Sequence, residues 1–264
     1  MAILTGAIKY RGSFKSIRNY MNLHDPNTYA GEKGGANRDL IMNNPAFART
    51  RENMNEFGGV GLVVKAIRQG LLNLLPEQTD KLFTSRLMRL VKEINVRDHQ
   101  GEHGKRAILI SGERPLLSTI VLNKLQSIAD KVVKQFLFEH PIERDEATLT
   151  LTAFGMKDIL VPKGATHYRV QNHLSLVSDY VYSEANRRYE PLSMLNMTSS
   201  YVYSEYTPVN TALTDELVAA FPLGTAPGDD DSVIQCVGVE FFLRSGPTGY
   251  KPLKGGSMRV LDVF

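Results

Sequence analysis

Asp98, His99, Glu102 and His103 stand close together in DHQGEHGKR, and all four are residue types that bind zinc. On a helix, His99 and His103 would share a face one turn apart. The order is not HExxH, because the glutamate adjoins the second histidine, and Gly101 and Gly104 oppose a helix. The spacing therefore predicts a polar surface loop over 98–106. Asp229, Asp230 and Asp231 are an acidic run that could attract calcium, but they lack the alternating oxygens and distal glutamate of an EF-hand loop. His167 and His173 lie six residues apart in an extended run, which gives them the same parity. They are expected to alternate outward to solvent, not to bind metal. The single cysteine, Cys236, sits in the apolar run VIQCVGVEFF and reads as a small buried hydrophobe. GEKGG (31–35) lacks the Gly-Lys-Ser/Thr ending of a phosphate loop. With no G-x-S-x-G elbow either, the expectation is a non-enzyme with no catalytic, metal or cofactor site.

The surrounding chain has 264 residues, 42% hydrophobic and 22% charged, enough for a large core without a metal or disulfide. Residues 1–106 hold 17 Lys+Arg against 10 Asp+Glu; the remainder holds 14 against 18. A basic front end of this kind suits nucleic acid, an acidic partner or the body of another copy. MAILTGAIKYRG lacks the order of a signal peptide, since Lys9 and Arg11 follow the apolar run. No stretch approaches 18 apolar residues, so no membrane partner is expected. The expected location is the cytoplasm, or a particle assembled there.

The organisation divides into four parts. Residues 1–44 form a strand-like arm, broken by glycines. It has one piece around Ile8 and Tyr10, a second over Phe14–Tyr20, and a turn at Asp25–Thr28. Such a hairpin is marginal alone, so it is expected to pair with the body, with another copy, or with nothing until assembly. Residues 45–97 are helical. Asn44 and Pro45 provide a cap and a first-turn proline. Val60, Val63, Val64, Ile67, Leu71, Leu74 and Leu75 make a stripe that Pro76 stops. Gly58-Gly59 either ends that helix or lets another segment pack closely. Asp80–Val96 is a second amphipathic helix. Residues 98–106 are the polar loop, and 107–264 form an antiparallel β body.

In that body AILIS (107–111) and LLSTIVLN (116–123) are expected to pair as strands. Leu125–Phe138 is ambiguous between helix and extended chain. Ala147–Phe154 alternates clearly, and Leu213–Phe221 is a short helix or strand. SVIQCVGVEFFLRSG and SMRVLDVF are the closing strands. The fold class is thus α+β: an N-terminal arm and amphipathic helices followed by an antiparallel β-sandwich-like body.

YVYSE occurs twice, at Tyr180–Glu184 and Tyr201–Glu205. Tyrosine and arginine favour interfaces. The candidate contact residues are therefore Tyr10, Arg11, Arg18 and Tyr20 in the arm, Arg49 and Arg51 in the first helix, and Tyr180, Tyr182, Tyr201 and Tyr203 in the body. Arg49, Arg51, Asn53 and Glu56 read as a polar network where arm meets body, not as catalytic groups.

PAFARTRENMNEFGG, followed by Lys65–Arg68, resembles a motif in uncharacterised proteins of the Bacteroides–Flavobacterium group of bacteria. Lys33-Gly34-Gly35, GATHYRV (Gly164–Val170) and CVGVEFF (Cys236–Phe242) are similar to the same pattern. The resemblance covers most of the chain and implies this architecture and a bacterial setting, with no established activity. The functional expectation is a structural protein that self-assembles into a filament, tube, lattice or phage-like particle through arm and β body. The alternative is a nucleic-acid-binding module using the basic N-terminal region, with interleaved tyrosines stacking on bases.

Overall fold

The computed structural model describes residues 2–3, 11–21, 25, 27–71, 79–124, 136–222, 224–247 and 249–264. The chain divides into two compact units, Met1–Arg51 and Glu52–Phe264. The expected arm makes up most of the first. The helical region beyond residue 51, the polar loop and the β body form the second together. The fold is α+β, with open, mainly antiparallel sheets.

The first unit holds four strands, β1 (Ala2–Ile3), β2 (Gly12–Phe14), β3 (Ile17–Met21) and β4 (Thr28–Glu32), in the order β1-β4-β3-β2. The expected strand over Phe14–Tyr20 is instead a hairpin, β2 to β3, with Phe14 opposite Ile17. Lys15 at φ 51° makes the reversal, which no alternation count reveals. The piece at Ile8 and Tyr10, and Pro26 of the expected turn, lie outside the described residues. The arm's strands thus pair with one another. A short helix that the sequence reading missed, α1 (Arg38–Asn43), follows, with the Asn37 side chain accepting the Leu40 amide at 2.7 Å.

Asn44 caps as expected: its side chain accepts the Ala46 amide, at a 3-10 turn (Pro45–Phe47) that leads into α2 (Ala48–Gly70). Helix α2 runs straight through Gly58-Gly59. Gly59 faces the Tyr189 ring, where any Cβ would lie 2.5 Å from ring carbons, so Gly59 serves close packing and the pair does not end the helix. Gly58 has nothing within reach of an added Cβ. Gly58→Ala is therefore expected to stabilise by about 0.8–1 kcal/mol, read as a higher urea midpoint. The expected continuation to Leu74, Leu75 and Pro76 lies outside the described residues.

Helix α3 (Phe83–Arg97) buries Phe83, Leu87, Val91 and Ile94; Leu82, expected in the stripe, is exposed. Asp80 sets the start of α3. It accepts the Leu82 and Lys124 amides and the Arg86 guanidinium, which holds its carboxyl down at about 2.

The remaining strands are β5 (Leu137–Glu139), β6 (Glu146–Phe154), β7 (His167–Ser178), β8 (Tyr180–Ser183), β9 (Arg188–Pro191), β10 (Ser199–Tyr203), β11 (Thr207–Pro208), β12 (Leu213–Ala220), β13 (Asp231–Ser245) and β14 (Gly249–Val263). A large sheet runs β10-β7-β13-β14, with β11 also on β7; a three-stranded sheet runs β12-β6-β5; β8 and β9 form a hairpin. AILIS is not a ladder strand. Ile108 and Tyr180 exchange one pair of backbone bonds, and the Asp179 carboxylate then takes the Ser111 amide and hydroxyl. That capture ends the pairing. Nor is LLSTIVLN a strand: Pro115 stands in the first turn of α4 (Arg114–Leu117), with irregular chain after it.

Strand alternation sorts the large sheet into two faces. Ile234, Cys236, Met258, Val260 and Val177 join the α2 and α3 core with Val60, Val63, Val64, Ile67 and Leu87. On the opposite face Tyr168, Val170, Val237, Val239 and Phe241 share a core with Leu149, Leu151 and Leu217 of the three-stranded sheet. Asn172 is buried between these two sheets. Its amide donates to the Ala147 and Leu217 carbonyls, both at 2.8 Å, and its oxygen accepts from Gln235 at 3.0 Å. A buried polar group needs such partners, and here all are found.

Candidate functional site

The most densely bonded group in the recognisable motif is Glu56, on α2. It is fully buried. It accepts from Arg106 Nε and Nη2, both at 2.7 Å, from Lys92 Nζ at 2.5 Å, and from the Gly104 amide at 2.8 Å. Burial acts to raise its pKa, but the Arg106, Lys92 and Gly104 bonds outweigh that and bring the carboxyl down to about 2. Asn95 of α3 extends the network, accepting from Lys92 and donating to the Arg106 and Ala107 carbonyls. The Tyr189 hydroxyl donates to the Arg106 carbonyl at 2.9 Å. Gly104, at φ 92°, passes so close to Glu52 that a side chain there would collide. With every oxygen of Glu56 engaged by cations and an amide, the carboxylate is a structural anchor with no lone pair free for a substrate. The expected network of Glu56 with Arg49, Arg51 and Asn53 where arm meets body is not what forms around Glu56: its partners are Arg106, Lys92 and the Gly104 amide, all within the second unit. Arg51 instead donates to the Ile41 and Asn44 carbonyls, fastening the chain before α2.

The other candidate chemistry disperses. Asp98 turns its oxygens to the Gln100, Gly101 and Ala107 amides. His99 is exposed, and His103 Nδ1 lies 3.2 Å from Glu52. Among the described residues no group of three His, Cys, Asp or Glu gathers around a metal position. The carbonyls of the acidic loop serve arginines: Arg114 and Arg144 both donate to the Asp231 carbonyl. Cys236 is buried, and burial pushes its thiol up to about 12.

His167 and His173 correct the expectation of solvent-facing histidines: they share a face, as parity requires, but both are buried. His173 Nε2 lies 2.8 Å from the Gly70 carbonyl at the end of α2. Alternation distinguishes the two faces of a strand but not whether a helix covers the polar one.

Of the expected contact residues, Tyr180 is 4% exposed, a core side chain bonded to Asn196, and so is no contact surface. Tyr182 is half-buried and packs edge-on against Tyr189. Tyr201 and Tyr203 lie on the edge strand β10. The Arg169 guanidinium stacks 3.6 Å above Tyr203 and pairs with buried Glu240 at 2.7 Å, so its charge is already satisfied. Tyr10 is outside the described residues, and Arg49 is exposed on α2.

The first unit has a different character. Its described apolar residues include none that is buried. Ile3, Phe14, Ile17, Met21, Leu40 and Met42 are all exposed, Phe14 at 64%. Register places Phe14, Ile17 and Met21 on one sheet face; Arg18, Tyr20 and Tyr29 share the other, with the two tyrosine rings stacked 5.9 Å apart. Arg11 donates to the Met21 sulfur and Lys15 lies 5.8 Å from the Phe14 ring, so cations border the apolar face. Residues 1–51 carry 8 Lys+Arg against 3 Asp+Glu.

Among the described residues no helix is long and apolar enough to cross a membrane. No family model, curated protein or solved structure matches the chain.

Proposed function

We propose that the chain is a non-enzymatic structural protein that self-assembles, using its N-terminal sheet as the contact element. One observation carries this reading: a folded sheet of four strands with no buried apolar side chain among its described residues and four exposed ones, Ile3, Phe14, Ile17 and Met21. A sheet of this size gains little stability alone and becomes stable when a face is covered. A partner of the same sequence is present wherever the protein is. The second unit has three apolar clusters of its own and acts as the body. We read its two facing sheets as a sandwich-like pair. The product is a filament, tube, lattice or phage-like particle built in the cytoplasm, in the bacterial setting that the motif resemblance implies.

Removing residues 1–36 is expected to leave a folded monomer and abolish large assemblies, seen by light scattering and negative-stain microscopy. A full-length protein that stays monomeric at millimolar concentration would sink the idea.

A second reading rests on the other face of the same sheet, where the Arg18 guanidinium lies 5.8 Å from the Tyr20 ring beside Tyr29. Cation and aromatic together suit single-stranded nucleic acid. That reading requires binding to oligonucleotides that weakens steeply with salt.

A further inference from the structure

We propose that the surface receiving the N-terminal sheet is the outer face of the three-stranded sheet β12-β6-β5 on the next copy. This rests on the assembly reading above and specifies its contact. Strands β5, β6 and β12 contain Glu139, Glu146, Asp215 and Glu216 and no Lys or Arg. Their inner residues Ala147, Leu149, Leu151, Leu217 and Ala219 are buried in the body. The pairing then fixes the outer face. Leu137 lies opposite Thr150, and Thr150 opposite Glu216; Glu139 lies opposite Thr148, and Thr148 opposite Val218. Leu137, at 61%, and Val218, at 41%, are exposed apolar residues among three exposed glutamates.

The N-terminal face is the complement of this pattern. Phe14 and Ile17 at the hairpin end and Met21 at the far end of β3 are its exposed apolar residues, with buried Asn19 and Thr28 between and beside them, and Arg11 and Lys15 stand at its margin. Its one acid, Glu32, lies opposite Ile17 and next in sequence to Lys33. Both surfaces are faces of strand arrays, and such arrays stack face to face at about 10 Å. Opposite charges beside exposed apolar residues set the orientation and oppose stacking of like on like. Edge addition is less available. The 15-residue edge strand β14 carries Lys251, Pro252 and Lys254, and its pairing with β13 shifts between Val239 and Phe241. These features blunt an edge against further pairing. Because the two surfaces differ, the contact is head to tail, and copies add without limit unless the rotation closes a ring.

The test uses full-length chains and sedimentation velocity across a concentration series. Glu139→Lys with Glu216→Lys, and separately Arg11→Glu with Lys15→Glu, are each expected to raise the concentration for half-assembly about a hundredfold. Circular dichroism checks that each stays folded. Mixing the two variants in equal amounts should restore assembly, because each then supplies the surface the other has reversed. If the Glu139→Lys, Glu216→Lys chain assembles like the wild type, or the mixture stays dispersed, this contact is wrong while self-assembly stands. If the wild type itself never assembles, the functional reading fails first. A wild type that stops at a symmetric dimer overturns the head-to-tail contact alone.

Discussion

Glu56→Gln is expected to cost about 3–5 kcal/mol of folding stability, the usual consequence of removing one partner from a buried ion pair. The substitution leaves the Arg106 guanidinium and Lys92 ammonium facing each other without their common anion. Lys92 keeps some contact with water, at 27% side-chain exposure, which favours the lower end of that range. The pH dependence is a second signature. The native carboxyl sits at about 2, below the ordinary glutamate value near ~4.3. Its contribution is therefore complete above that ordinary value and disappears as pH falls toward 2. Asp80, also lowered to about 2 by Arg86, acts in the same direction over the same interval. Urea midpoints at pH 7 and pH 3 should fall steeply for the wild type and much less for Glu56→Gln. An unchanged midpoint at pH 7 would show that the network contributes specificity of packing without net stability.

Gly59→Ala carries the next largest effect. Its methyl group would lie 2.5 Å from the Tyr189 ring, and that ring is held from beyond by its hydroxyl bond to Arg106. Overpacking of this kind costs about 1–3 kcal/mol. A double-mutant cycle separates the collision from other causes. In a Tyr189→Ala background the same substitution should stabilise by up to about 1 kcal/mol, since alanine is then simply a better helix residue than glycine. A cost that persists without the ring would mean the glycine serves something other than close approach.

How much of this was legible in the residues depended on what each pattern reports. Helices α2 and α3 followed from apolar spacing and the Asn44-Pro45 start; β6 and β13 followed from alternation and β-branched residues. Those signals are local. The failures came where a distant group decides the outcome. Ile108 and Ile110 are buried in alternation with exposed Leu109, as in a strand, yet Asp179 captures the next amide and the ladder stops. Pro115 did mark the start of a helix at 114–117, a signal that the apolar run after it concealed. The β2–β3 hairpin turns on a lysine at positive φ, where a glycine or asparagine would have announced it. For the contact surfaces, tyrosine content alone misassigned Tyr180. The sequence motif drew the eye to Glu56 and Gly59, but their partners, Arg106 and Tyr189, lie far along the chain and leave no trace near them.

The Asn172 side chain has one consequence for how the body finds its arrangement. Apolar contacts have no direction, so leucines and alanines alone would let the large sheet and the three-stranded sheet slide against each other. Asn172 supplies direction: its one amide bonds a carbonyl of β6 and a carbonyl of β12, so a small sliding of either layer strains both bonds at once. A single amide thus acts as a pin between two layers that hydrophobicity alone would leave free to creep.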